Sequence, residues 1–155
     1  KKTASLIASC CAIGASASEK ASLEQIEKMR LFGEYVGIAF QIKDDLFDFG
    51  DDDIGKPTGI DIKEKKLTLP LIYALNQAES GVRKKMVRII RKENNNDAKV
   101  REVVDFVRQS GGLTYAKGKM EEYKTKALSI LSEMPDNSCR TSLEELVHYV
   151  TSRKK

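Results

Sequence analysis

The sequence is poor in the residues that interrupt helices and in those that build zinc or disulfide sites. Only three prolines and ten glycines occur in 155 residues, and Ala, Leu, Ile, Lys and Glu, which dominate the rest, favour helices over strands. Cys10, Cys11 and Cys139 form no Cys-x-x-Cys pair, and there is a single histidine. We therefore predict an all-α protein without a zinc site or a disulfide framework, which fits a reducing compartment such as the cytoplasm.

Long apolar runs and blocks of one charge are also missing. The longest uncharged run, residues 3–18, is too short and too polar to span a bilayer or to serve as a signal peptide. The 27 basic and 23 acidic residues are interspersed and leave a net charge of +4, so no nucleic-acid partner is expected. Length and composition predict one soluble helical region over residues 1–155.

Apolar residues recur at helical spacing along most of the chain. Ser22 and Gln25 form a capping-box pattern that opens a long helix, whereas Gly81 is expected to end or interrupt the helix that starts at Leu69. Residues 50–59 combine aspartates, glycines and a proline, which predicts an ordered loop. The predicted helices cover residues 2–15, 22–49, 69–77, 82–92, 98–109, 113–134 and 142–151.

An acidic motif near the end of the long predicted helix carries most of the chemical information. Asp44, Asp45 and Asp48 share one broad face of that helix with Gln41. Like charges spaced four residues apart repel each other, so this face favours a bound cation. Carboxylate oxygens suit Mg²⁺, which retains several waters and often bridges to substrate phosphates.

Two other interpretations of these acids remain open. A DDxxD pattern can be a solvated acidic helix end with no ligand. A calcium loop is a poorer alternative, because the motif lacks the alternating ligands and terminal Glu of an EF-hand.

Basic residues follow the acidic motif closely. Lys56 lies in a glycine-flanked loop, and Lys65 and Lys66 precede the segment Thr68-Leu69-Pro70. Proteins usually hold a diphosphate with a metal ion that bridges its oxygens and with ammonium groups that neutralise the remaining charge. The combination therefore favours a diphosphate ligand, although each lysine alone can equally be a solvent-facing charge.

These motifs, in this order and spacing, resemble the C-terminal half of the polyprenyl synthetase family, the trans-isoprenyl diphosphate synthases, over essentially all 155 residues. The matching segments are Lys2-Thr3, Phe40-Gln41 before Asp44-Asp45-x-x-Asp48, Gly55-Lys56 through Asp61, and Lys66-x-Thr68-Leu69-Pro70. The closing pattern from Leu146 to Arg153 is similar to the long-chain branch, of the octaprenyl or solanesyl type. The implied fold is the C-terminal part of an isoprenoid-synthase helical bundle.

The resemblance implies a role for nine residues. Those that would bind Mg²⁺, directly or through water, are Asp44, Asp45 and Asp48. Those that would contact the allylic diphosphate are Lys2, Lys56 and Lys66. Thr3 and Gln41 would face the allylic cation as it forms, and Asp61 would hold metal-bound water or orient Lys56. The implied reaction condenses an allylic diphosphate with isopentenyl diphosphate to a long-chain all-trans polyprenyl diphosphate, in a protein that forms homodimers.

The sequence departs from the family pattern in two respects. It contains no first aspartate-rich motif, and it begins abruptly at Lys1-Lys2-Thr3, so we expect a fragment that is inactive alone. Lys65 stands where the family usually has glycine before the motif lysine, which predicts a less tight loop at Lys66. The alternative to an enzyme fragment is a non-catalytic helical interaction or regulatory subunit of a prenyl synthase.

Overall fold

The computed structural model describes residues 2–18, 20–50 and 58–153, which contain eight α-helices and no strand. The predicted all-α class is thereby confirmed. The helices are α1 (Lys2–Ser16), α2 (Leu23–Phe47), α3 (Ile60–Lys63), α4 (Leu69–Gln77), α5 (Ser80–Lys92), α6 (Asp97–Gln109), α7 (Gly112–Ser132) and α8 (Ser138–Ser152). No helix in these ranges has the length and apolar character that a membrane span requires.

Local side-chain caps set the starts of α2 and α6. The predicted capping box opens α2: the Ser22 N–H donates to Gln25 Oε1 at 2.8 Å, and the Gln25 N–H donates to Ser22 Oγ at 3.2 Å. Asn96 caps α6, because its side-chain oxygen accepts from the N–H groups of Ala98 and Lys99. Such reciprocal contacts satisfy N–H groups that have no partner within the helix.

Three helix predictions need correction. The predicted bounds of α4, residues 69–77, are the observed ones, but Gly81 does not end this helix: the extended Ala78 follows its last residue, and Gly81 lies in the first turn of α5. α8 starts at Ser138 rather than Ser142, because the Asn137 side chain accepts from the Arg140 N–H and caps it four residues earlier. The short helix α3 was not predicted, and most of the loop predicted over residues 50–59 lies outside the described residues.

The chain forms two compact units, and the first comprises residues 1–43 and 119–154. Its core contains Phe32, Val36, Ala127, Leu131 and Val147. The small residues of α1 pack closely on α2: a Cβ added at Gly37 would lie 2.6 Å from the Ala4 Cα. The small side chains on both helices allow this close approach.

The second unit comprises residues 44–118. Its core brings α3, α4, α5 and α6 together with Phe49, which is fully buried just after the acidic motif. The buried stripe of α6 has the three- and four-residue spacing of one helix face and consists of Val100, Val103, Val104 and Val107. This core is the support on which the candidate site rests. The expectation of a single helical domain over residues 1–155 stays a prediction.

Candidate functional site

The side chain of Asp48 joins the end of α2 to the start of α3. Asp48 is only 6% exposed, and its two oxygens accept from the N–H groups of Ile60 at 2.8 Å and Asp61 at 3.2 Å. The Asp48 carbonyl also accepts from the Gly59 N–H at 3.0 Å. The third acid of the motif is therefore bound to backbone on both oxygens and fixes the position of Asp61.

Gly59 makes this junction possible. Its φ is 81°, a left-handed conformation that favours glycine. A Cβ added there would also collide with the Cγ1 of Val100 on α6. Only glycine satisfies both conditions, so the chain can turn into α3 and present the N–H groups of Ile60 and Asp61 to Asp48.

Asp45 performs the equivalent task at α4. Its Oδ2 accepts from the Leu69 N–H at 3.2 Å, at the N-terminus of the helix, where a negative charge is favoured. Thr68, the residue at the N-cap position, makes no capping hydrogen bond with its side chain, and its buried hydroxyl has no partner within the described part of the chain. Asp45 thus supplies the cap that Thr68 does not.

The acids at the site influence one another. Partial burial raises the pKa of Asp45, the Leu69 N–H lowers it, and the charges of Asp61, Asp44 and Asp48 raise it further. Burial and like charge both disfavour the ionised form. A cation bound beside these carboxylates would act in the opposite direction, because it stabilises that form.

Lys66 faces the same acids. Its Nζ pairs with Glu64 at 2.6 Å and Asp61 at 3.1 Å, and these two acids raise the pKa of the Lys66 ammonium above its usual range. The lysine side chain is 59% exposed, so its ammonium stays charged and accessible. Preceding it, Lys65 has a φ of 58° and is the one residue other than glycine with positive φ in the described ranges. This left-handed backbone is a conformation that favours glycine and that costs energy for a residue with a Cβ.

The structure places five of the nine predicted site residues in the second unit. Hydrogen bonds join three of them, Asp48, Asp61 and Lys66, whereas Asp45 accepts from the Leu69 N–H at the start of α4. Asp44 occupies the last turn of α2 and is half-buried. Three others belong to the first unit: Lys2 is exposed and Thr3 half-buried in the first turn of α1, and Gln41 is half-buried in α2. Lys56 lies outside the described residues.

A residue that sequence reasoning missed is Arg108 on α6. Its Nε donates to the Phe49 carbonyl and its Nη2 donates to the Gly50 carbonyl, both at 3.0 Å. These acceptors lie 59 and 58 residues away in sequence, so no local pattern indicates the contact.

The described residues contain no group of three or more His, Cys, Asp or Glu side chains arranged to hold a metal ion. The donors that are present, the carboxylates of Asp44 and Asp45, nevertheless match Mg²⁺ in chemistry. That ion is commonly held by one or two carboxylates, waters and substrate phosphates. The residues therefore fit a shared ion that is completed by a phosphate ligand.

Comparison with known proteins gives consistent matches. The family model described as polyprenyl synthetase matches residues 1–107. The chain is 38% identical over 156 residues to a nonaprenyl diphosphate synthase of Mycobacterium tuberculosis, covering 99% of this chain and 46% of that protein.

Solved structures agree with these sequence matches. A decaprenyl diphosphate synthase from Rhodobacter capsulatus superimposes with a TM-score of 0.89 at 32% identity, over 97% of this chain and 47% of that one. A polyprenyl synthase from Caulobacter crescentus CB15, solved with calcium and isoprenyl diphosphate, gives a TM-score of 0.86 at 31% identity, over 99% and 47%. The chain spans about half the length of the relatives that it matches.

Proposed function

The chain belongs to the polyprenyl synthetase family, and on that premise we propose that it forms the C-terminal half of a synthase that elongates an allylic diphosphate with isopentenyl diphosphate. The product would be a long-chain all-trans polyprenyl diphosphate. The observation that carries this proposal is the arrangement at the ends of three helices, where hydrogen bonds join Asp48, Asp61 and the accessible Lys66 ammonium and where Asp45 caps α4.

The three acids of the motif would divide the work. Asp44 and Asp45 would hold Mg²⁺, whose charge would draw electron density from the departing diphosphate. Asp48 would orient rather than chiefly ligate, because backbone N–H groups already occupy both of its oxygens. Each of those oxygens retains a second lone pair, so direct ligation by Asp48 stays a prediction.

Lys66 would bind the allylic diphosphate by exchanging partners. Its ammonium pairs with Glu64 and Asp61 and is exposed to solvent, and phosphate oxygens are strong acceptors for such a group. Lys2 and Lys56 would add two further positive charges to the diphosphate. Released from Lys66, Asp61 would remain anchored by its own N–H on Asp48 and could accept from metal-bound water or from Lys56.

The reaction proposed for the whole protein requires no side-chain nucleophile. The allylic C–O bond breaks with its electron pair leaving on pyrophosphate, and the double bond of isopentenyl diphosphate attacks the allylic cation. A proton is then lost, with pyrophosphate as its acceptor. The Thr3 carbonyl or hydroxyl and the Gln41 amide oxygen would face the cation, because such dipoles stabilise positive charge as it forms. The expected homodimer, the cytoplasmic location and the absence of a nucleic-acid partner stay predictions.

Activity can be tested by supplying the missing half from a relative. We would join this chain to the N-terminal part of the Mycobacterium tuberculosis nonaprenyl diphosphate synthase that precedes the matched region, and measure pyrophosphate release with Mg²⁺, an allylic diphosphate and isopentenyl diphosphate. Asp44→Ala is expected to lower turnover by about 100-fold or more, the scale of losing one electrostatic contact to the transition state. Asp136→Ala, an exposed acid in the first unit, is the matched control.

The possible outcomes separate the alternatives. Unchanged turnover in Asp44→Ala would contradict the metal assignment. If the hybrid folds but is inactive, while the intact Mycobacterium tuberculosis enzyme is active in the same assay, the result would favour the non-catalytic subunit. The 155-residue chain alone is expected not to turn over, and synthesis by it would contradict the proposal that it is half of an active site.

A further inference from the structure

We propose that Arg108 is a positioning residue for the acidic motif, which it holds through the backbone at the end of α2 without touching metal or substrate. This inference rests on the proposed function for its consequence, but its geometry is independent. The Arg108 guanidinium donates from Nε to the Phe49 carbonyl and from Nη2 to the Gly50 carbonyl, each at 3.0 Å. The Arg108 guanidinium therefore binds the carbonyls of the two residues that directly follow Asp48.

The carbonyls of residues that follow a helix have no partner in its hydrogen-bond pattern and must find a donor elsewhere when they are shielded from water. The chain leaves α2 through tight turns, in which the Phe49 N–H donates to the Leu46 carbonyl at 3.2 Å and the Gly50 N–H donates to the Phe47 carbonyl at 3.4 Å. The carbonyls of Phe49 and Gly50 follow these turns and point to Arg108. A cation at this position is also favoured by the negative end of the helix dipole.

Three independent contacts then fix the three residues that follow α2. The carboxylate of Asp48 is held by the N–H groups that begin α3. The Phe49 side chain is fully buried in the core of the second unit. Arg108 supplies the third contact, through the main chain. The backbone of Arg108 is itself held in place, because the neighbouring residue Val107 is fully buried in the same core.

The consequence for the site follows from the order of these residues. Asp44 and Asp45 lie within the turn that precedes the clamped segment, and Gly50 begins the segment that carries Lys56. A backbone displacement of an ångström is sufficient to weaken a preorganised site substantially. Arg108 is therefore expected to determine how tightly the acids hold a metal and its phosphate ligand.

Arginine is required for the geometry that is observed. Its planar guanidinium offers several donors in a fixed arrangement, whereas the lysine ammonium is a single point of charge on a flexible stem. Arg108→Lys is expected to keep the charge and one carbonyl contact, and Arg108→Gln to lose both the charge and the paired geometry. Arg101, an exposed arginine on the same helix, provides the control substitution Arg101→Gln.

The experiment has two readouts on the 155-residue chain. The first is the dissociation constant for MgCl₂ with inorganic pyrophosphate, measured by calorimetry. The second is hydrogen exchange at the amides of Gly50, Ile60 and Asp61, measured without metal. We expect Arg108→Gln to weaken binding about tenfold and to accelerate exchange at these amides, Arg108→Lys to fall between it and the parent, and Arg101→Gln to match the parent.

Several results would overturn the inference. One is binding by Arg108→Gln as tight as that of the parent, and another is an equal loss in Arg101→Gln. If Arg108→Gln does not fold, Arg108→Lys decides: parent-like binding and exchange would refute the role. If the unsubstituted chain itself binds no magnesium pyrophosphate, that result counts against the proposed function and not against the role of Arg108. Hydrogen exchange then tests the role of Arg108 alone, and unchanged exchange rates at the Ile60 and Asp61 amides in Arg108→Gln would reject that role.

Discussion

Replacing Asp48 by asparagine distinguishes the structural role of the third motif acid from the metal-binding role of the first. In the folded protein both Asp48 oxygens accept backbone N–H groups, from Ile60 at 2.8 Å and Asp61 at 3.2 Å, and the side chain is buried. Asparagine retains only one acceptor oxygen, so one of these N–H groups would face the amide NH₂.

The magnitude follows from this count of donors and acceptors. A hydrogen bond to a charged group contributes about 1.5–3 kcal/mol, and a buried donor left without an acceptor costs about 1–3 kcal/mol. Some relaxation around the site is expected, so Asp48→Asn should lower the free energy of unfolding by about 2–4 kcal/mol. For a chain of this size that corresponds to a fall in Tm of about 6–12 °C.

The assay is thermal unfolding followed by circular dichroism in EDTA, so that no metal contributes. Asp44→Asn is expected to lower Tm by less than Asp48→Asn does, because Asp44 is half-buried whereas Asp48 is buried. The same variant should lose the stabilisation that the parent gains from Mg²⁺ with pyrophosphate. Asp136→Asn serves as the exposed control.

The reasoning would be refuted if Asp48→Asn unfolded within about 2 °C of the parent. The contacts with Ile60 and Asp61 would then contribute little. Loss of the response to Mg²⁺ in that stable variant would instead support the original interpretation of Asp48 as a metal ligand.

Two further predictions concern the backbone. Lys65→Gly should stabilise the fold by about 0.5–1 kcal/mol, because Lys65 has a φ of 58° and glycine removes the Cβ clash. Lys65→Ala keeps the Cβ and should not stabilise the fold. An equal gain in stability from both variants, measured by urea unfolding, would contradict this explanation. Gly37→Ala should destabilise by about 1–3 kcal/mol, because its Cβ would lie 2.6 Å from the Ala4 Cα. Gly14→Ala should raise stability by about 0.5–1 kcal/mol, because Gly14 is helical and a Cβ added there would have no neighbouring atom within 4 Å. Equal effects of the two glycine substitutions on thermal unfolding would rule out the close-contact explanation.

The predicted helices match the observed ones best where the relevant contacts are between sequence neighbours. The capping box at Ser22 and Gln25 and the valine stripe of α6 could be recognised from spacing alone, because both involve residues three or four positions apart. The predicted start of α8 at residue 142 was wrong because Asn137 caps the helix, which therefore begins at Ser138. Asn137 and Ser142 are both residue types that can cap a helix, and the sequence pattern does not show which of the two does so.

The sequence also located the candidate site, since DDxxD, the lysines and the Thr68-Leu69-Pro70 segment lie close together in the chain. It did not indicate what each acid does. Asp44, Asp45 and Asp48 share one broad face in a helical projection, yet Asp45 caps α4 and Asp48 anchors α3. That difference depends on where α3 and α4 pack, which no spacing within α2 encodes.

Sequence by itself was sufficient for the all-α class, most of the helices, the family and the location of the acids, because these properties depend on periodicity and on short-range capping. Tertiary structure alone decided which acids are tied to backbone, why Gly37 and Gly59 are glycines, and that Arg108 holds the end of α2. Each of these depends on atoms that are distant in sequence and are brought within a few ångströms only by the packed core.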